Sequence, residues 1–221
     1  MVIVEMIGCP GIGKSVVSNI VRNKILNAGC KVYSPPKKWN RMRRLQTKIE
    51  ECCVYFNPTY RKLWKKGKVS VPELENQLAI QWFMILFNTI INIDKAEREG
   101  MELILLDEGC VQQMSSITHG KDISNELLTW AEEVYSYVFN GRKVIFIWGE
   151  LSMEENIRRL RKRNRPGDRF VAETDGEIIG RLELKKRNLE KLVQLVETAP
   201  IKVPFDDLEH ASRFIVECLL D

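Results

Sequence analysis

The chain has 221 residues, 44% hydrophobic and 29% charged, with a formal net charge of +4. That is enough for one substantial core in an ordinary folded protein, with no repeat, low-complexity tract or linker along it. The six cysteines form no paired C-x-x-C sets and only two histidines accompany them, which argues against a structural zinc site and for free thiols in a reducing cytoplasm. The apolar start contains Glu5 and runs directly into a glycine-rich segment, so no secretory signal is read there. The longest apolar stretch, Trp82 to Ile93, is interrupted by Asn88, Thr89 and Asn92 and is too short and too polar to span a bilayer.

Met1 to Ile7 is a short apolar run suited to a buried strand. It leads into Gly8-Cys9-Pro10-Gly11-Ile12-Gly13-Lys14-Ser15, the complete pattern G-x-x-x-x-G-K-[ST]. Its positions have separate jobs on a nucleoside triphosphate. The glycines let backbone N–H groups close around phosphates, Lys14 reaches the β- and γ-phosphates, and Ser15 offers its hydroxyl to Mg²⁺. The expected nucleotide contacts are Gly8, Gly11, Ile12, Gly13, Lys14, Ser15 and Val16. The helix that this motif requires should run from about Lys14 to Ala28 and stop at Gly29. Lys31 to Tyr33 reads as a short second strand closed by Pro35-Pro36, and residues 39–53 as a basic helix with Asn57-Pro58 as a break. Pro72-Glu73 is a good helix start, and the helix it opens should reach Arg98, apolar on most sides and therefore buried.

After Gly100, Leu103 to Leu106 is a continuous aliphatic run, the mark of a fully buried strand, and Asp107-Glu108 follow it directly. A carboxylate at the end of a strand beside the phosphate-loop strand is the usual second anchor for Mg²⁺, so Ser15 and Asp107 form the expected metal pair. Glu108 either activates water, as in motor and AAA-type ATPases, or accepts the proton of an attacking hydroxyl. Helical character returns at 125–139, Val144 to Trp148 is another buried strand, and Ser152 with Glu155 has capping-box spacing ahead of a basic helix that ends near Asn164. A turn at Arg165 to Asp168, a charged helix over 177–197, a short strand Ile201 to Val203 and a helix from His210 to Leu220 complete the chain. The sum is one α/β domain over 1–221, a P-loop NTPase fold with a parallel sheet of about five strands and helices on both faces.

Residues 158–169 hold six Arg and one Lys in twelve positions. Phosphoryl transfer spreads negative charge over the transferred group, and arginines on a mobile segment can stabilise it. The Asn-Arg-Pro-Gly turn suits an Arg-rich lid over approximately 158–176; the alternative is a solvated basic helix. On a helix Arg159 and Arg163 share a face while Arg161 points elsewhere.

With these parts in view, the sequence resembles P-loop nucleoside and nucleotide monophosphate kinases, and its layout is most similar to thymidylate kinases. The lid pattern of that group, approximately R-[IL]-x-x-R-x-R-x-x-D-R-[FI], is met at Arg159-Leu160, Arg163, Arg165, Asp168-Arg169 and Phe170. The order of parts also agrees along nearly the whole chain. The resemblance implies that lid arginines supply charge where the phosphate loop has none, and residues 9–12 contain no Arg. Three departures stand out. Asp107-Glu108-Gly109 replaces an Asp-Arg-aromatic sequence, Asn88-Thr89 follows Leu86-Phe87 where an Asp-Arg pair is usual, and Pro10 replaces an acid.

The implied activity is ATP-dependent transfer of a phosphoryl group to a small acceptor: a nucleoside, nucleotide or related metabolite. The catalytic set is Lys14, Asp107, Glu108, Arg163, Arg165 and Arg169, with ATP and Mg²⁺ as cofactors. Gln77, Gln81 and Asn88 are expected to contact the acceptor between the segments 39–66 and 73–98, with Trp82 and Phe83 available for stacking. Two alternatives remain open: an ATPase of motor or AAA type, resting on Asp107-Glu108, and a kinase acting on polynucleotide, resting on the basic segment 37–48 beside Trp39. Nucleic acid is the less favoured partner, a membrane is not expected, and a second copy of the chain is admitted as one.

Overall fold

In the computed structural model the described residues are 1–33, 57–163, 170 and 172–220. The centre of the molecule is β1 (Val2–Ile7), whose sequence, apolar except for Glu5, is buried on both faces. It pairs in parallel with β3 (Leu103–Leu106) on one side and β4 (Lys143–Glu150) on the other. The edge strands β2 (Val32–Tyr33) and β5 (Ile201–Pro204) complete a five-stranded parallel sheet in the order β2-β3-β1-β4-β5. This order sets the site. Glu5 is in register with Leu106, so the residues leaving the carboxyl ends of β1 and β3, Gly8 onward and Asp107 onward, emerge as neighbours.

Two helical layers cover the sheet. On one face α1 (Lys14–Asn27) and α8 (Leu208–Leu220) pack on Val4, Met6, Ile147 and Val203. On the other lie α2 (Pro58–Ser70), α3 (Gln77–Arg98), α4 (Cys110–Ile117), α5 (Asn125–Val138) and α7 (Asp175–Gln194), over Ile3, Ile7, Phe146 and Trp148. The alternation of Ile3 and Val4 between layers is the two-residue period of a strand covered on both sides. A smaller cluster of Leu160, Phe170, Ile178 and Leu182 joins α6 (Met153–Lys162) to α7.

Several boundaries differ from the sequence expectations. Asn57-Pro58 is a helix start as well as a break: the Asn57 side chain accepts from the N–H groups of Thr59 and Tyr60 at 2.9 and 3.2 Å, and Pro58 occupies the first turn of α2. Pro72 opens only a 3₁₀ turn, Pro72–Glu75; α3 begins after it, where Asn76 accepts from Leu78 N–H at 2.8 Å. Ser152 caps α6, but the Glu155 carboxylate is taken by Arg158 and Arg159. The reciprocal capping box is instead Thr174 with Glu177, at the start of α7. Helix α4 was not expected at all. Its apolar residues Cys110, Val111, Met114 and Ile117 do recur at helical spacing, but over only eight residues, too short a window for the period to stand out. The basic segment 39–53 lies outside the described residues.

The helical layer beside the site is fixed by aromatic packing. Phe83 stacks on Trp130 with ring centroids 5.2 Å apart, Trp64 lies against Phe83 and Phe87, and Trp130 Nε1 donates to the Leu63 carbonyl at 3.0 Å. Nearby, Asp94 on α3 accepts from Tyr60, from Tyr137 at 2.7 Å and from Arg142 at 2.8 Å, tying α2 and α5 to α3. Gly67 lets α2 approach this layer: a Cβ there would come within 2.7 Å of Phe83 and 2.8 Å of Trp130. Replacing a helical Gly by Ala ordinarily gains about 1 kcal/mol, whereas overpacking costs roughly 1–3 kcal/mol. Gly67→Ala should therefore show a net loss of stability in urea unfolding; a gain would mean that α2 is not seated as closely as described.

Candidate active site

The loop between β1 and α1 is shaped by glycine. Gly8, Gly11 and Gly13 have φ of +144°, +90° and +108°, backbone conformations that other residues rarely adopt. Gly11 also has no room for a side chain, since a Cβ would lie 2.8 Å from Asn156 and Leu160. The loop curls around the Lys14 ammonium, which donates to the carbonyls of Gly8 at 2.8 Å and Cys9 at 3.0 Å. Lys14 is 8% exposed. Burial pushes its pKa down, and Glu108 foremost, then Cys9 and Asp107, oppose that shift. Lys14 is thus a buried cation held by the loop carbonyls on one side and by the strand-end carboxylates on the other.

Asp107, at the end of β3, accepts a 2.9 Å hydrogen bond from Ser15 Oγ. Glu108 is exposed and faces a cleft of about 510 Å³ that it shares with Gly11, Lys14, Ser15 and Arg163. The arginine-rich helix divides its labour. Arg159 lines the cleft and braces the loop, donating to Ile12 O at 3.0 Å and Asp206 O at 3.2 Å. Arg161 turns away, to Phe170 O, Glu173 O and Asp175 at 2.6–2.7 Å. Arg165 and Arg169 lie outside the described residues.

What holds the loop against the strand-end acids is α4. The Gln112 side chain accepts from Gly8 N–H at 3.2 Å, and Gln113 Nε2 donates to Glu108 O at 2.7 Å and to Thr89 Oγ1 at 2.8 Å. Beneath them the fully buried Glu5 accepts from Gln112 N–H at 2.8 Å, while its second carboxylate oxygen has no hydrogen-bond partner. Gly109 makes room for it, because a Cβ at that position would come within 2.4 Å of the Glu5 carboxyl carbon. Burial raises the Glu5 pKa to about 7, against the opposing N–H groups at the start of α4.

The acceptor contacts expected from sequence are not brought to this cleft. Gln77 and Gln81 are exposed on α3 and Asn88 is half-buried, and none of them lines it; Trp82 does. Helical phase explains the difference. Trp82 and Thr89, seven residues apart, share the face that meets α4, and Gln81 and Asn88 lie about 100° away. Phe83 is fully buried in the aromatic layer and does not line the cleft either. Sequence reasoning missed Gln112, Gln113, Ser116 and Lys185; the signal was the pair of glutamines and two serines in an otherwise apolar stretch after Asp107-Glu108. A more open hollow of about 680 Å³ surrounds Asp94, whose carboxylate is already engaged by Tyr60, Tyr137 and Arg142.

No protein-family model matches this chain, and no curated protein sequence does. Solved structures do. Deoxyadenosine kinase from M. mycoides, with the products dCMP and a flexible dCDP bound, is similar over 99% of this chain and 98% of its own, at 16% identity and a TM-score of 0.58. The same enzyme with dATP bound covers 99% of both chains at 16% identity and a TM-score of 0.54, and with dCTP bound the TM-score is 0.50. The chain therefore has the α/β P-loop NTPase fold. These likenesses do not single out the thymidylate kinase layout. No helix among the described residues is long and apolar enough to cross a membrane.

The Glu5 site gives a pH prediction. The unfolded chain holds this proton with a pKa near 4.5 and the folded protein with one of about 7. The stability contributed by the protonated form is full below about 4.5 and is lost as pH rises through about 7. Across that window the loss is on the order of 3 kcal/mol. Chemical unfolding of wild type and Glu5→Gln at pH 4.5 to 8 should show the difference between them changing in the Gln variant's favour by about that amount; a pH-independent difference would exclude titration of Glu5.

Proposed function

We propose that this chain is an ATP-dependent phosphotransferase acting on a small acceptor. The carrying observation is convergence: Lys14, the Ser15–Asp107 pair, Glu108 and Arg163 meet at one cleft, which extends past the loop to Trp82, Ser116 and Lys185. The first group suits a triphosphate and the extension gives a second substrate somewhere to lie. The nucleotides in the M. mycoides kinase structures support the donor assignment by analogy of fold.

In this reading the loop N–H groups and Lys14 bind the β- and γ-phosphates, and Leu208 and Arg159, beside Gly13, flank the donor at its other end. Glu108 takes the proton from the acceptor hydroxyl as that oxygen attacks the γ-phosphorus. The bond from phosphorus to the β–γ bridging oxygen breaks, and ADP leaves with its electron pair. Arg163 balances the charge on the transferred group. The Ser15 hydroxyl and Asp107 carboxylate are hard oxygen donors already in contact, and Mg²⁺ usually takes only one or two protein ligands, so the pair fits that ion. When bound there, Mg²⁺ supplies charge neutralisation of the phosphate oxygens. Arg165 and Arg169 belong to the same proposal on the strength of the lid pattern, and a reducing cytoplasm is in keeping with the free thiols of Cys9, Cys30, Cys110 and Cys218.

Lys14→Ala should lower transfer of labelled γ-phosphate to a panel of nucleosides, nucleotides and hydroxylated metabolites by at least about a hundredfold. Retained transfer would remove Lys14 from the mechanism. Asp107→Asn should raise the Mg²⁺ concentration needed for half-maximal rate about tenfold, by loss of one charged ligand. The ATPase alternative is favoured by one feature, an exposed Glu108 over the loop; brisk hydrolysis that no acceptor diverts would establish it instead.

A further inference from the structure

The cleft continues beyond the phosphate loop. Past Trp82, Ser116 and Lys185, which line both spaces, lies a second chamber of about 130 Å³ between α3, the end of α4 and α7. Its size suits a small polar group such as an oxyanion, with room for only a few waters. Among the described residues that line it there are Arg181, Lys185, His119 and three hydroxyl side chains, and no Asp or Glu.

Three observations mark it as a built site. Ser115 is 1% exposed, lines the chamber, and its hydroxyl has no hydrogen-bond partner, which a buried polar group rarely tolerates without a ligand or water to satisfy it. His119 has φ of +49°, the one residue other than glycine in the left-handed region among the described residues, and this turn at the end of α4 carries it into the chamber wall. Asn188 on α7 clamps the turn, donating to Lys121 O at 2.7 Å and to Thr118 Oγ1 at 3.3 Å and accepting from Ile123 N–H at 3.1 Å. Finally, the Lys185 ammonium is oriented by Ser116 Oγ at 2.9 Å and Gln112 O at 3.3 Å, at the junction with the main cleft.

We propose that this chamber is an anion subsite for the acceptor: the molecule that receives the phosphoryl group carries, besides its hydroxyl, a phosphate or carboxylate that binds between Lys185, Arg181 and Ser115. The assignment of the hydroxyl to Glu108 rests on the phosphotransferase reading; the anion subsite rests on the chamber itself. Lys185 offers ammonium donors, Arg181 a planar fork and Ser115 a buried hydroxyl, a set that matches the several lone pairs of an oxyanion. Arg181 also pairs with Glu173 at 2.8 Å, which holds it at the chamber's outer side. Trp82 supplies a flat apolar wall at the junction, against which the body of the acceptor can lie.

The test uses the intact chain saturated with ADP, so that the phosphate loop is occupied, and follows Trp82 fluorescence, with Trp82→Phe identifying its share of the signal. Titration with inorganic phosphate and, separately, with acetate should give a saturable change, the tighter of the two naming the preferred oxyanion. Lys185→Met should weaken that binding at least tenfold and Arg181→Gln several-fold, while ADP affinity stays within twofold. Ser115→Val, which replaces the hydroxyl by a methyl group, should weaken it as well, and circular dichroism confirms that each variant is folded. Absence of a saturable response in protein that binds ADP, or phosphate and acetate binding unchanged in folded Lys185→Met and Arg181→Gln, overturns the subsite and leaves the donor site standing. Lys185-dependent phosphate binding in protein that does not bind ADP supports the subsite and overturns the donor assignment.

Discussion

A carboxylate buried in the central strand sets the geometry of the whole site. Glu5 lies in a position where an isolated charge would be strongly destabilising; the N–H groups that open α4 point at it and offset part of that cost, and burial still raises its pKa to about 7. That contact seats α4 directly on β1 with only Gly109 between them. Once α4 is seated, two consecutive side chains work in opposite directions. Gln112 reaches the phosphate loop at Gly8, and Gln113 reaches the backbone of Glu108. The loop and the strand-end acids come from segments far apart in sequence, yet one short helix holds both.

Charge is distributed around this frame by position rather than by abundance. The arginine-rich helix is dense enough to suggest a phosphate-facing surface along its length. The structure assigns its members individually: Arg159 to the loop carbonyl and the cleft, Arg163 to the cleft, Arg158 to Glu155, and Arg161 to the start of α7. Lys185, from a different helix, meets the same cleft from the far side. The loop side and the α7 side of the cleft are therefore both lined by cations, and the carboxylate of Glu108 shares that lining.

The low identity to solved kinases is instructive beside the shared fold. A P-loop sheet fixes where a triphosphate binds and leaves the rest of the cleft to the helices that cover it. Here those helices supply Trp82, the α4 serines and the α7 basic residues, in place of the Asp-Arg pairs that the resemblance to thymidylate kinases leads one to expect.

What could be read from the sequence was contiguous or periodic. The loop at 8–15 is legible because its residues act within one turn of backbone, and the buried strands because an uninterrupted aliphatic run has one favourable place in an α/β protein. Asp107 was legible by its place at a strand end, and the split between Arg159 and Arg161 by helical spacing. Helix α4 was not, because the helical spacing of Cys110, Val111, Met114 and Ile117 spans only eight residues, less than the window in which a period stands out. The cleft-facing side of α3 was not either: sequence shows which residues share a face, but only packing against α4 decides that the Trp82–Thr89 face turns to the cleft and Gln81 to solvent. The same holds for Lys185 and Ser115, which meet across a chamber enclosed by three helices. Local backbone chemistry determined the glycine-rich loop; the relative rotation of packed helices, a property of no single segment, decided what faces it.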